Sequence, residues 1–455
     1  MSAERSRGRR GTGHAVVLGA GISGLCAARA LSGVFDHVTL VERDSAPAGS
    51  GVRRGVPQGA HVHSLTPGGA VVLAEFFPGL VEELAAEGGT LAGALDELEI
   101  VFFGSRLRQV PLGRVLQVSR PFLEGRLRER VAALPDVTLR TGLEAVEPLA
   151  DAPAGVVGVR LARPGGPDSA EPVAADLVVD AMGRAGRGAA WHRALGYPEP
   201  PVQRLHVDVA YASRRYQVAP GALGTAKGVL IGATQGRPRG AVLTQQENDA
   251  WVLSLYGFGK GHHPPTAPEE FLGFAEGLLA PDTWHALRGA EPLTGISSFA
   301  YPASLRRDFH RLRSLPEGLV SVGDAVCSLN PIYGAGMTVA ALEAKALRKC
   351  LAEGTAGLPR RFYREAARAV RLPWLFSTMA DRSMPQVPGT HPALAGLLAR
   401  SFRATMRAAA ADARVAAAVW DAVSLTGSPA GLARPQVMAA VLRHWSPRAA
   451  VPGKD

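Results

Sequence analysis

Apolar residues gather along this chain in segments of different period, and the period separates strands from helices. "HAVVLGAGISGLCAARAL" opens on a continuous apolar run, His14 to Leu18, which predicts a buried strand, then a tight turn, then a helix from near Ile22. "HVTLVERD" alternates and predicts a second strand ending at Glu42. Far downstream, "LPEGLVSVGDAVCSLNPIYGAGMTVAALEAKALRKCL" predicts a short strand over 319–322, a Gly323-Asp324 turn, a loop containing Pro331, and a helix from about Gly336. Ala340, Leu342, Ala346, Leu347 and Cys350 give that helix its apolar stripe. Between the two regions, "LHVDVAYASRRY", "GVLIGA", "GAVLTQQ" and "WVLSLYGFG" read as strands separated by Gly, Pro and polar turns, hence a mostly antiparallel sheet. After Pro373 the chain is Ala- and Leu-rich with apolar residues recurring at three and four, the pattern of packing helices.

These elements predict an α/β protein: a Rossmann-type domain interlocked with an antiparallel substrate sheet, plus a C-terminal helical segment. The division expected is a disordered basic tail at 1–13 and a discontinuous cofactor domain at 14–200 and 295–370, with part of 60–115 on the substrate side. The substrate sheet is expected at 201–294 and the C-terminal helices at 371–455. A chain of 455 residues suits one large or two interlocked domains.

Composition narrows the picture by exclusion. With 47% hydrophobic and 20% charged residues the chain is ordinary for a globular protein, and no apolar run is long enough to cross a bilayer. The start "MSAERSRGRRGTG" is basic and polar, and the apolar stretch behind it is broken by Gly19, Gly21 and Gly24, unlike a signal-peptide core; a cytoplasmic protein is expected. Cys26, Cys327 and Cys350 stand in apolar surroundings and suggest neither a disulfide framework nor a metal cluster. The net charge of +10 comes from arginines spread along the chain, with no basic block beyond the first ten residues and no interleaved aromatics, so nucleic acid is not an expected partner. His61 and His63 lack a third ligand nearby; they are expected to order a loop and to hold no metal.

The chemistry lies in the two glycine clusters. Gly19-x-Gly21-x-x-Gly24 after a strand fits a dinucleotide turn: Gly19 permits the turn, Gly21 leaves the backbone open to a pyrophosphate, and Gly24 lets helix and strand pack closely. Glu42, at the end of the next strand, can accept hydrogen bonds from a ribose and would repel a 2′-phosphate, which leaves NAD or FAD. In the second cluster a helix start bared by Gly334 and Gly336 offers free amides to an anion. Asp324 beside it offers a carboxylate to hydroxyl groups. FAD meets both demands, with pyrophosphate and adenosine at one end and, at the other, a ribityl chain and an isoalloxazine that becomes anionic on reduction.

Together with "RRGVPQGAHVHSL", "SRPFLEGRLRERV", "ADLVVDAMGRAGR" and the stretch from "LGYPEP" to "VDVAYASRRY", these motifs resemble the FAD-dependent group A monooxygenases of the para-hydroxybenzoate hydroxylase fold, over roughly residues 14 to 385. Within that family they are similar to the branch of bacterial polyether epoxidases and squalene epoxidase-like enzymes. The resemblance implies that Gly19, Gly21, Gly24 and Glu42 hold adenosine and pyrophosphate, with Arg43 beside them. It implies that Arg53 and Gln58 lie in the loop approaching the flavin and that Arg120 contacts the cofactor backbone. Asp180 and Arg187 would support both cofactor sites and Asp324 the ribityl chain, while Pro331, Gly334, Gly336 and Met337 border the isoalloxazine. The chain departs from the family at Ala181 and Gly186, where many members have Gly and Ser, and at Leu329 and Ala335, where Phe and Gln are common.

Tyr211, Trp251, Tyr256, Phe299 and Tyr301 are the candidates to line a substrate pocket, and no charged cluster near them advertises an anionic substrate, so a lipophilic one is expected. The resemblance implies insertion of one oxygen atom of O2 through a flavin C4a-hydroperoxide, with electrons from NADPH or NADH, taken directly or through a separate flavin reductase. No protein side chain is assigned as catalytic. Epoxidation of a polyketide or terpenoid alkene in secondary metabolism needs no protein base and is the first expectation; phenol hydroxylation is the second. A halogenase or prenyl reductase ranks behind them, since the chain lacks the Trp-x-Trp-x-Ile-Pro stretch of such halogenases. The C-terminal segment carries scattered acids and no strongly basic face, so membrane association is not expected.

Overall fold

The computed structural model describes residues 13–45, 53, 55–93, 97–111, 113–151, 155–166, 169–389, 391–427 and 429–445. The basic tail expected at 1–13 lies outside the described residues except for Gly13, as does the end of the C-terminal segment, 446–455. Among the described residues a five-stranded parallel sheet runs in the order Leu319–Ser321, Leu177–Asp180, His14–Leu18, His37–Glu42, Val137–Thr141. Its central strand is apolar at every position after His14 because both of its faces are covered. Residue-by-residue pairing of His14–Leu18 with His37–Val41 brings Gly19 and Glu42 out at the same carboxyl edge, where the Gly19 amide donates to the Val41 carbonyl at 2.7 Å.

The helix Ile22–Leu31 packs on this edge, and the helix Gly336–Leu351 packs on it in turn. Two glycines permit that approach. A Cβ on Gly24 would stand 1.7 Å from the Gly19 carbonyl oxygen. Gly323 has φ +65°, and a Cβ there would meet Ser23 Oγ at 2.0 Å. The two glycine clusters, remote in sequence, therefore touch.

The second layer is a nine-stranded sheet, mostly antiparallel, whose longest strand, Val202–Gln217, pairs with Ala250–Phe258 on one side and Ser297–Arg307 on the other. Ser297–Arg307, which follows the sequence boundary at 295, belongs by pairing to the large sheet and continues it before the chain returns to the parallel layer at Leu319. Leu98–Phe102 joins the same sheet alongside Gly228–Ile231. One face of the sheet is closed by the helices Pro268–Ala275 and Pro281–Arg288, whose Phe271 and Leu287 are fully buried.

The helix Leu358–Arg382 runs unbroken through Pro373, so a boundary at 371 falls inside it. The hydrogen bond that the proline removes is offset by the burial of Phe362, Tyr363, Val370 and Trp374 against the main core. Helices Pro392–Ala411, Ala413–Ser424 and Pro435–Arg443 then cap the strand Leu98–Phe102, next to the sheet edge. Phe402 stacks on Phe103 there, with ring centroids 4.7 Å apart and planes 4° from parallel. No helix of the described residues is long and apolar enough to cross a membrane.

Candidate functional site

A continuous cavity of about 590 Å³ starts at the first glycine turn, passes the second, and ends between the large sheet and the C-terminal helices. At its first end Gly19, Gly21, Glu42, Arg43, Arg53, Gln58 and Arg120 line the wall. The helix Ile22–Leu31 begins at Gly21 with no side-chain cap and no acid in its first turn, so its leading amides and positive dipole end are free for an anion. Glu42 Oε2 accepts from the Ala20 amide at 2.9 Å and from Arg53 Nη1 at 2.7 Å, and Oε1 accepts from the Asp44 amide at 3.0 Å. One of its four lone-pair positions is left for a hydroxyl. Arg53 also donates to Glu124 at 2.7 Å, and Arg120 to the other oxygen of Glu124 at 2.6 Å. Burial pushes the Glu124 carboxyl up, but the Arg120 and Arg53 guanidiniums outweigh it and hold the group ionised below the usual carboxylate range. The four charges form a buried, balanced lattice that fixes where both arginines point.

Gly24 and Asp180 stand behind this wall. Gly24 is a packing position. Asp180 is fully buried and accepts from the Met182 amide at 3.1 Å and the Gly188 amide at 2.7 Å, shaping the turn that carries Arg187 to the cavity. The glycine at 186 has a steric reason: a Cβ would meet Ala325 Cβ at 2.7 Å and Asp180 Oδ2 at 2.9 Å.

Midway, Asp324 reaches the cavity, and among the described residues no protein donor bonds its carboxylate. Burial raises its pKa, while Arg120 and Arg184 pull it back. Pro331, Gly334, Gly336 and Met337 line the next stretch, and the helix Gly336–Leu351 starts there without a side-chain cap. A Cβ built on Gly334 or Gly336 meets nothing within 4 Å, so these two positions front open cavity. In order along the cavity stand anion donors, the carboxylate of Asp324 suited to hydroxyls, and a second set of bare amides. That sequence of donors fits a long cofactor with phosphates at one end and an electron-poor head at the other.

In the far lobe Tyr211, Tyr256 and Phe299 line the wall, and Trp251 and Tyr301 do not. Trp251 points to the opposite face, into the cluster with Tyr216, Leu253 and Phe271, because it is an odd number of residues from Tyr256 on one strand. Tyr301 lies on the cavity face but is covered by the Cys327–Leu329 segment; its hydroxyl donates to the Ser328 carbonyl at 2.9 Å and its ring lies under Arg184. His61 sits among Tyr211 and Phe299, with Nδ1 2.7 Å from Ser213 Oγ; burial pushes its pKa down to about 4. His63 donates Nδ1–H to the His61 carbonyl at 3.0 Å, and burial together with Arg120 pushes it to about 3. Both rings are neutral. The arginines that line the cavity, Arg43, Arg53, Arg120 and Arg187, all belong to its first end.

Several wall residues carry no signal in the sequence. Phe376, Phe402, Met406 and Trp420 close the lobe from the C-terminal helices, whose pattern reads only as packing. Behind the Pro331 loop lies a buried polar chain: Asp381 Oδ1 accepts from Tyr333 Oη and from Asn330 Nδ2, each at 2.8 Å, and Asn330 Oδ1 accepts from Tyr211 Oη at 2.8 Å. Asn330 and Tyr333 stand inside the second glycine motif, yet only their partners reveal their use.

No protein-family model matches the chain. It is 34% identical over 384 residues to Protein Rv3254 of Mycobacterium tuberculosis, covering 81% of this chain and 80% of that protein. Among solved structures, a triple mutant of the flavin-dependent brominase Bmp2 superposes with a TM-score of 0.64 at 16% identity, over 95% of this chain and all 100% of that one. PqsL, a probable FAD-dependent monooxygenase from Pseudomonas aeruginosa, gives 0.63 at 17% identity, over 85% and 99% of the two chains. 2-Methyl-3-hydroxypyridine-5-carboxylic acid oxygenase, as a point mutant, gives 0.60 at 20% identity, over 86% and 96%. The fold of this chain is the one these proteins share.

Proposed function

The chain belongs to the family of Protein Rv3254 of Mycobacterium tuberculosis, and from that premise and the cavity just described we propose that it is an FAD-dependent monooxygenase acting on a lipophilic small molecule. The reading rests on one observation: a single cavity joins both bare helix starts and passes the unpartnered carboxylate of Asp324 between them. In this reading the amides of the helix Ile22–Leu31, with Arg43, hold the pyrophosphate, Glu42 holds the adenosine ribose, and Asp324 the ribityl hydroxyls. Arg53 and Arg120 are oriented beside them by Glu124. The amides at Gly336 and Met337 meet the isoalloxazine. Bound there, FAD supplies the activation of O2 and delivers one oxygen atom. Tyr211, Tyr256 and Phe299 orient the substrate, and the C-terminal helices exclude water.

The far lobe, aromatic and with no lining cation among the described residues, suits a neutral lipophilic ring system. Of the finer readings, phenol hydroxylation now stands first, because a titratable carboxyl, Asp381, is wired to two tyrosines of the lobe and supplies the proton acceptor that the reaction uses. Epoxidation of an alkene in secondary metabolism, which needs no such group, stands second, supported by the apolar wall and the motif resemblance. Halogenation, despite the fold shared with a brominase, has no Trp-x-Trp-x-Ile-Pro stretch behind it.

Purified protein is expected to be yellow or to take up one FAD, to bleach under NADH or NADPH or through an added flavin reductase, and to carry 18O from O2 into its product. A folded, colourless protein that refuses added FAD sinks the reading. A product labelled from water, or halogenated without 18O, would exclude oxygen transfer.

A further inference from the structure

We propose that Asp381 is the terminal proton acceptor for a hydroxyl-bearing substrate, reached through Tyr333, so that the cavity selects phenols or enols. The inference deepens the monooxygenase reading and rests on the far lobe being its substrate site. Asp381 is fully buried on the helix Leu358–Arg382, in the first part of the C-terminal segment. One oxygen accepts from both Tyr333 and Asn330 and the other has no partner among the described residues, so the group has capacity for a proton.

The groups facing it are Tyr333, Asn330, Tyr211 and Tyr256, and among the described residues no cation acts on its charge. Burial therefore dominates and raises the carboxyl to about 7, with the Tyr333 and Asn330 hydrogen bonds pulling the other way. Such a value suits a group that takes a proton and returns it near neutrality. Tyr333, by contrast, is driven well above the ordinary phenol range by burial and by the Asp381 charge, so it passes a proton on without remaining ionised.

The transfer balances in two bonds. A substrate O–H facing Tyr333 gives its proton to Tyr333 Oη as the Tyr333 proton moves across 2.8 Å to Asp381 Oδ1. The electron pair stays on the substrate oxygen, which becomes a phenolate or enolate with its ring activated toward an electrophilic oxygen atom. No oxidant enters this step. Asn330, held between Asp381 and Tyr211, keeps the carboxyl aimed and is a positioning residue.

The test uses the FAD-loaded protein and two probes, 2-naphthol and its methyl ether, 2-methoxynaphthalene, with dissociation constants read from fluorescence. An ionised Asp381 strengthens the chain that the naphthol proton joins, so the preference for naphthol over the ether is expected to rise about 10-fold across roughly 1.5 pH units either side of 7. Asp381→Asn keeps both hydrogen bonds but takes no proton, and Tyr333→Phe cuts the chain in the cavity. Each is expected to leave ether binding within about 2-fold and to flatten the naphthol preference. If Asp381→Asn does not fold, Tyr333→Phe carries the test alone. An unchanged pH profile in the folded variants, a flat wild-type profile, or no naphthol binding overturns the inference. Failure of the FAD reading looks different: no flavin is retained while the Asp381-dependent naphthol preference persists in the flavin-free protein.

Discussion

Replacing Asp324 by alanine should move two properties in opposite directions. The carboxylate faces the cavity with no protein donor among the described residues, and burial raises its pKa. A raised folded pKa means that the group weakens the flavin-free fold at every pH above its ordinary value, so its removal should leave that fold equally or more stable near neutrality. The cofactor loses at least one charge-assisted hydrogen bond, worth about 1.5–3 kcal/mol, or about 10- to 150-fold in Kd. At an FAD concentration about 100 times the wild-type Kd, ligand linkage adds about 2.7 kcal/mol to wild-type stability; a variant binding about 30-fold more weakly gains only about 0.9 kcal/mol. Chemical denaturation with and without FAD, alongside quenching of flavin fluorescence on binding, reads both quantities. A variant with unchanged FAD affinity and a weakened flavin-free fold would refute the assignment, because it would make Asp324 a turn-stabilising residue only.

Gly24→Ala should destabilise the protein by about 3 kcal/mol or prevent folding, since its Cβ would lie 1.7 Å from a backbone oxygen that cannot move, and the denaturation midpoint reports it. Gly336→Ala should behave in the reverse sense: its Cβ meets no atom of the described residues beyond its own helix backbone and chain neighbours within 4 Å, so thermal stability holds or rises by up to about 1 kcal/mol while FAD affinity falls. Glu343 is buried beside Asp324 and accepts from the Gly323 amide, and burial lifts its pKa from 4.5 to about 8. Between those values the unfolded chain ionises while the folded protein keeps its proton, so stability falls as pH rises. Glu343→Gln should remove that slope, gaining about 3 kcal/mol over wild type between about pH 5.5 and 8.5 in urea denaturation; parallel pH curves would contradict the raised value.

Local pattern carried most of the parallel-sheet half. The run from His14, the alternation ending at Glu42 and the stripe of the helix from Gly336 are short-range features, and the structure has His14–Leu18, His37–Glu42 and Gly336–Leu351. The large-sheet half was less legible. Every residue of the strand Ala250–Phe258 is buried, because one face meets helices and the other the cavity, so no polar alternation distinguishes Trp251 from Tyr256. The C-terminal helices were readable as helices, but their apolar faces do not say which surface they cover.

What the sequence determined by itself is the identity of the parts: glycines where backbone must approach backbone or phosphate, an acid at the end of a strand, amides left uncapped at two helix starts. Those depend on neighbours a few residues away. What only the tertiary structure decided is which parts share one space. Asp381 meets Asn330 across 51 positions of sequence and Tyr333 across 48, and nothing in the local chain marks an acid for such a role. Its chemistry is set by the loss of water around it and by the hydroxyl and amide that close over it, and both arise only when the helix Leu358–Arg382 packs against the Pro331 loop.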